Sequence, residues 1–195
     1  APASEIARSD YLIRIQPGIR FQPHPAFAVD EQGRHRYHAL SPSDLNGINR
    51  LADFPETGTR ELTAEDFVYQ IKRLAAPWTH SPIAGVMQQH IRGFQALAEQ
   101  LATAAEQGAL ERIATLRESS LEGVEVIDRH SFRISLTGKY PQFAYWLAMP
   151  FFAPMPWEAE VFYAQPGMNE RNITLDWYPV GTGPFMLSEN NPNLR

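Results

Sequence analysis

The sequence predicts an α+β fold in which helices pack on a mixed, largely antiparallel sheet. Val124 and Val126, then Phe132, Ile134 and Leu136, alternate with polar residues on either side of Asp128-Arg129-His130. That is the pattern of two antiparallel strands with one buried face. Phe67, Ile71 and Leu74 instead recur at i, i+4 and i+7, the spacing of an amphipathic helix. A third segment, Tyr11 to Ile15, alternates at period two far upstream of the hairpin.

Taken in order, Tyr11, Ile13 and Ile15 alternate with Leu12, Arg14 and Gln16, and Ile19 and Phe21 follow Pro17-Gly18. This reads as a strand, a tight turn and a short second strand. From Gln22 to Arg60, Pro23, Pro25, Pro42 and Pro55 interrupt a segment with little periodicity, which predicts a long ordered surface excursion containing only short helical pieces. Thr63-Ala64-Glu65-Asp66 matches a capping box. The Thr63 hydroxyl accepts from the Asp66 amide, and the Asp66 carboxylate returns a bond and favours the positive helix terminus. Lys72 and Arg73 sit near the far end of that helix, where cations suit the dipole, and Pro77 lies just beyond.

Ile83, Met87, Ile91, Phe94, Ala98 and Leu101 predict one longer helix, and Leu110, Ile113 and Leu116 another after Gly108, the two forming a helical pair. Tyr140-Pro141 starts a broadly apolar helix that Pro150 ends, since Pro is tolerated at the first helical position. A short helix follows around Trp157 to Ala164. After Val180-Gly181-Thr182-Gly183-Pro184, the run Phe185-Met186-Leu187 begins a strand. No internal repeat or low-complexity tract is evident.

Composition narrows the function. The chain has 195 residues, 44% hydrophobic and 20% charged, enough apolar material for a real core and unlike a disordered or fibrous chain. With 17 Lys and Arg against 22 Asp and Glu, a net charge of -5 and no basic run, it lacks the electrostatic footprint of a nucleic-acid binder. The absence of Cys removes thiol nucleophiles, disulfides and thiolate metal sites together. The longest apolar stretch, Phe143 to Pro156, is broken by Pro150 and Pro154 and is shorter than the ~20 residues that span a bilayer, so no membrane insertion is expected. Ala1 to Glu5 lacks a charged n-region and an apolar h-region, so a secretory signal is expected to be absent or already removed. The 16 Pro residues predict many fixed turns.

No constellation makes a strong catalytic motif. His24, His35 and His38 share one segment with Asp30 nearby, but they lack the i, i+4 pairing with an intervening Glu of a helical zinc site, and ordinary surface histidines explain them better. Ser119, Ser120 and Ser131 stand in no Gly-x-Ser-x-Gly elbow. Glu65 and Asp66 are adjacent on a helix and face different ways, and capping accounts for Asp66. Gly181-Thr182-Gly183-Pro184 carries no Lys and precedes a strand, so it suits a bend better than a phosphate loop. Tyr140, Phe143, Tyr145, Trp146, Phe151, Phe152 and Trp157 form an aromatic group that is mostly core, with Phe151 and Phe152 the candidates for lining a pocket.

The order of these signals is that of a known family. Tyr11 through Phe21, then Leu62-Thr63-Ala64-Glu65-Asp66-Phe67-Val68-Tyr69 with Lys72-Arg73-Leu74, then Val124 to Asp128 with Phe132 to Leu136 follow one another along the chain. Next come Tyr140-Pro141-Gln142-Phe143 with Ala153-Pro154-Met155-Pro156, and finally Gly181-Thr182-Gly183-Pro184-Phe185. Together they resemble the family 5 extracellular solute-binding proteins, the peptide-, dipeptide- and nickel-binding components of ABC importers. The excursion from Gln22 to Arg60 departs from the family pattern, which has only a short turn there, and resembles a subgroup insertion.

The resemblance implies a fragment. Family members are much longer, with two lobes closing over the ligand, and this chain resembles part of the first lobe of a two-lobed periplasmic binding protein of type II, cluster C. Residues 1–153 would form most of an accessory subdomain, with the insertion at 22–60, and residues 154–195 would begin the ligand-contacting subdomain. The second lobe and the residues before Tyr11 that would complete the first sheet would be missing. The implied function is capture of a peptide or similar small solute at the periplasmic or extracellular face of the cytoplasmic membrane. Delivery to ABC transporter permease subunits would follow, with no cofactor, no metal and no catalytic residue. Gln89, His90, Met149 and Phe151 fall near where relatives approach their ligand. The alternative is a hydrolase using His90 or His130 with a carboxylate, or a metal held by His24, His35 and His38.

Overall fold

The computed structural model describes residues 5–187, and they divide into two units. The first comprises the chain up to Pro17 together with Thr63–Met155, and the second comprises Gly18–Leu62 together with the chain from Pro156 onward.

The first unit is built on a three-stranded antiparallel sheet of β1 (Arg8–Arg14), β2 (Val124–Asp128) and β3 (Ser131–Thr137). The strand order is β1-β3-β2, so the second strand of the expected hairpin lies in the middle. Ile134 of β3 stands opposite Tyr11 on one side and Val124 on the other. Phe132, Ile134 and Leu136 are buried at 2% exposure or less, which is the inward face that the period-two pattern predicted.

Helix α1 (Ala64–Ala75) covers that face. Its capping box is complete, with the Thr63 amide donating to Asp66 Oδ2 at 2.8 Å. Ile71 and Leu74 are buried, and the half-buried Phe67 stacks on Phe132 with ring centroids 5.3 Å apart. Lys72 does more than complement its own helix dipole. Its ammonium is buried and donates to the carbonyls of Arg117 (3.0 Å) and Ser119 (2.9 Å), at the end of α4 (Ala109–Glu118). Those are carbonyls a helix leaves without an internal partner.

The single long helix expected from Ile83 to Leu101 is two helices, α2 (Ala84–His90) and α3 (Phe94–Ala102). Between them Ile91 leaves the helix and bridges Leu136, while the Arg92 amide donates to the Ser135 carbonyl at 3.1 Å. Gly93 turns the chain with φ +72°, a left-handed conformation that glycine adopts without steric cost. Apolar spacing ran through this break because Ile91 is buried in either arrangement. The backbone bonds offered by the sheet decided between them. Helices α3 and α4 both pack on α1, rather than chiefly as a pair with each other. The helix expected from Tyr140 to Pro150 shrinks to α5 (Phe143–Trp146), and Pro150 opens a 3-10 turn, Pro150–Phe152.

In the second unit the excursion is ordered by three short 3-10 turns, Pro25–Phe27, Pro42–Leu45 and Leu51–Asp53. Its core is Ala26, Leu45 and Phe54 packed with Ala159, Phe162, Met168 and Ile173, of which Ala159 and Phe162 come from α6 (Trp157–Tyr163). Ile19 and Phe21 do not form the expected second strand. The Phe21 amide donates to the Arg60 carbonyl and the Leu62 amide to the Ile19 carbonyl, leaving one isolated bridge between Arg20 and Glu61. Of the strand expected from Phe185 onward, residues 185–187 carry no strand assignment and Phe185 is 90% exposed, and the remainder lies outside the described residues. Among the described residues no helix is long and apolar enough to cross a membrane.

Candidate functional site

The four residues singled out as ligand contacts all lie in the first unit. Helix α2 ends on Gln89, which is exposed, and His90, which is half-buried. The His90 ring stacks flat on Tyr140, with centroids 3.7 Å apart and an interplanar angle of 9°. Tyr140 is itself held twice. Its hydroxyl accepts from Trp146 Nε1 at 2.9 Å, and its carbonyl accepts from the Tyr11 hydroxyl at 3.1 Å. Met149 hangs from the same turn through its amide, which donates to the Trp146 carbonyl at 2.9 Å, and the residue is 43% exposed. The structure therefore joins His90 to Met149 through Tyr140 and Trp146, two residues that the sequence offered as part of an apolar helix and of a general aromatic group.

Phe151 is half-buried and fixed differently, since its carbonyl accepts from Gln70 Nε2 of α1 at 2.8 Å. Gln89 and Phe151 share no hydrogen bond or ring contact with His90 or Met149 among the described residues. The aromatic neighbours divide sharply. Phe143 and Phe152 are core, meeting edge to face at 6.0 Å, whereas Tyr145 is 78% exposed. Phe152 thus joins the core rather than lining a pocket.

Chemically this set offers a stacked imidazole, a thioether, a phenyl ring and an amide. Burial lowers the His90 pKa from its ordinary value, which favours the neutral ring at pH 7. No hydrogen bond ties His90 to a carboxylate or to a nucleophile among the described residues, so it lacks the oriented partner of a nucleophile-base pair.

The histidines of the excursion are not ordinary surface residues. His24 is 1% exposed. Its Nδ1 accepts from the Ala26 amide at 3.0 Å, which leaves the proton on Nε2, and Nε2 donates to the Tyr163 hydroxyl at 2.8 Å. Tyr163 donates in turn to the Tyr178 carbonyl at 2.5 Å. Burial pulls the His24 pKa down to about 4 and pushes that of Tyr163 up. His35 and His38 stack at 4.1 Å with both edges toward Trp157, and His38 Nε2 donates to the Ala26 carbonyl at 3.0 Å. No group of three His, Cys, Asp or Glu could hold a metal among the described residues. Two open grooves of about 460 and 610 Å³ run along Arg36 to Ala39, and the ion pairs Arg34–Asp30 and Arg36–Glu56, each at 2.8 Å, line the larger one.

Gln70 was missed by sequence reasoning, although a signal existed. It is a polar residue inside the apolar stripe of α1, between Phe67 and Ile71, and it is 8% exposed.

Residues 57–195 match the family described as bacterial extracellular solute-binding proteins, family 5 Middle, and the chain belongs to that family. Over 151 residues it is 32% identical to the periplasmic oligopeptide-binding protein OppA of Salmonella typhimurium, an alignment covering 77% of this chain and 24% of that protein. The chain therefore spans about a quarter of the length of this curated relative.

Proposed function

We propose that this chain is part of the extracytoplasmic receptor of an ABC importer, which captures a peptide or similar small solute and passes it unaltered to the permease. The observation that carries this reading is the family match over residues 57–195, and the likeness to a periplasmic oligopeptide-binding protein directs it toward peptides. The protein works in the periplasm or at the outer face of the cytoplasmic membrane, without a cofactor. In such a receptor affinity comes from two lobes hinging shut over the ligand. Residues 1–153 outside the excursion supply most of an accessory subdomain of the first lobe, and residues 154–195, which from Pro156 onward share the second unit with the excursion, begin its ligand-contacting subdomain. Gln89, His90, Met149 and Phe151 contribute contacts to one wall. A neutral His90 stacked on Tyr140 suits packing against a peptide side chain or its backbone, because a flat aromatic surface buries apolar area with few rotamers to lose.

The test is to titrate the complete gene product with tri-alanine while following tryptophan fluorescence, and then to recover the peptide for mass spectrometry. The expected result is a saturable change with the peptide intact. Cleavage that depends on His90 or His130 would replace this reading with a hydrolase.

A further inference from the structure

We infer that Gln70 is a positioning residue for the ligand wall, fixing Phe151 and the turn that carries Met149 against α1. The inference rests on the reading of Met149 and Phe151 as ligand contacts. Gln70 is 8% exposed, and its Oε1, shut off from solvent, has no hydrogen-bond partner among the described residues. Leaving a buried acceptor unsatisfied carries a desolvation cost, and an apolar side chain of similar shape would avoid it. The bond that Gln70 does make is therefore the reason to look for a role beyond packing. Its Nε2 donates to the Phe151 carbonyl at 2.8 Å. The amide cannot be reversed, because Oε1 would then face another acceptor.

The segment it holds has no ladder of its own. The 3-10 turn Pro150–Phe152 is followed by Ala153 and Pro154 without regular structure. A second clasp lies one helical turn away, where the Asp66 carbonyl accepts from the Met155 amide at 3.1 Å. Asp66 and Gln70 are four residues apart and so share a face of α1. Between the clasps Phe152 is driven into the core against Phe143. Phe151 stays half-buried, and Met149, on the other side of Pro150, is 43% exposed. Two anchors on one helix thus turn an irregular stretch into a fixed surface, and a surface ordered beforehand loses less entropy when a ligand binds.

The experiment is calorimetric titration of the complete gene product with tri-alanine, comparing wild type, Gln70→Met, Phe151→Ala and the double variant. Gln70→Met keeps the bulk and removes the donor, and Gln70→Leu serves if that variant fails to fold. Gln70→Met is expected to weaken binding roughly tenfold, the scale of one net hydrogen bond, while melting stays cooperative. In the Phe151→Ala background the same change should add little, because the two residues act as one unit. Unchanged affinity in Gln70→Met, or losses that simply add, would overturn the inference. If Phe151→Ala binds as well as wild type, the reading of Phe151 as a contact fails and the inference falls with it. If wild type binds no peptide, the proposed function fails, and hydrogen exchange across 151–155 still decides the positioning: faster exchange in Gln70→Met supports it, and unchanged exchange refutes it.

Discussion

Arg60 and Glu158 form a two-pronged ion pair within the second unit, with Nε to Oε1 at 2.5 Å and Nη2 to Oε2 at 2.7 Å. Glu158 is 4% exposed, and the guanidinium lies over the rings of Phe21 (5.1 Å) and Phe27 (5.5 Å). The pair clamps the end of the excursion to the start of α6. Removing one partner leaves a buried charge alone, so Arg60→Ala is expected to cost about 3–5 kcal/mol in urea unfolding. Replacing both, as Arg60→Met with Glu158→Leu, should recover most of that loss. Equal losses in the single and double variants would show that the pair is not the clamp.

His24 makes the second unit sensitive to acid. Its folded pKa is about 4, below the ordinary 6.5, because burial disfavours the charged ring. Between those values the unfolded chain binds a proton that the folded chain refuses, so stability rises with pH there. The full contribution is present above about pH 6.5 and is lost as pH falls toward 4, on the order of 3 kcal/mol in all. Urea midpoints at pH 7 and 4.5 should show this loss in wild type and much less of it in His24→Gln. A wild type whose midpoint ignores pH in that window would refute the assignment.

Gly123 sits where Arg92 and Ser135 close on it. A Cβ there would lie 2.6 Å from the Arg92 carbonyl oxygen and 2.9 Å from that of Ser135. Gly123→Ala is therefore expected to destabilise by about 1–3 kcal/mol through forced backbone movement. A thermal melt unchanged from wild type would contradict the close approach.

Within α1, Ile71 is 1% exposed and Phe67 is half-buried. Ile71→Ala should cost about 2–5 kcal/mol, and Phe67→Ala less than a fully buried Phe would. Equal indifference to both would undo the helix assignment.

What the sequence made legible were features set by neighbours in the chain. The Thr63–Asp66 capping box, the period-two face of Phe132, Ile134 and Leu136, and the apolar stripe of α1 each depend on spacing alone. The break at Ile91 to Gly93 was hidden because the bonds that end α2 come from Ser135 and Gly123, far away in sequence. Ile19 and Phe21 alternated like a strand, yet among the described residues they bond to residues 59–62 and join no ladder. His24 looked like a surface residue because nothing local shows Tyr163 and Phe162 closing over it. At the candidate site, the residue types of His90 and Met149 were visible, whereas the links through Tyr140 and Trp146 and the Gln70 clasp are tertiary.

If the proposed function holds, a chain spanning about a quarter of its relative's length supplies one wall of the site, and by itself it is expected to bind peptides more weakly than about micromolar because the ligand stays in water. Calorimetry on the isolated chain showing tighter binding would place a complete site within these residues.

Under the proposed function the peptide is captured and left unaltered. Equilibrium dialysis of the complete gene product against isotope-labelled tri-alanine tests it most directly, with the retained peptide identified afterwards. The account predicts saturable retention approaching one peptide per protein, recovered at its original mass. Retention that never saturates, or free alanine and dialanine accumulating with time, would contradict it.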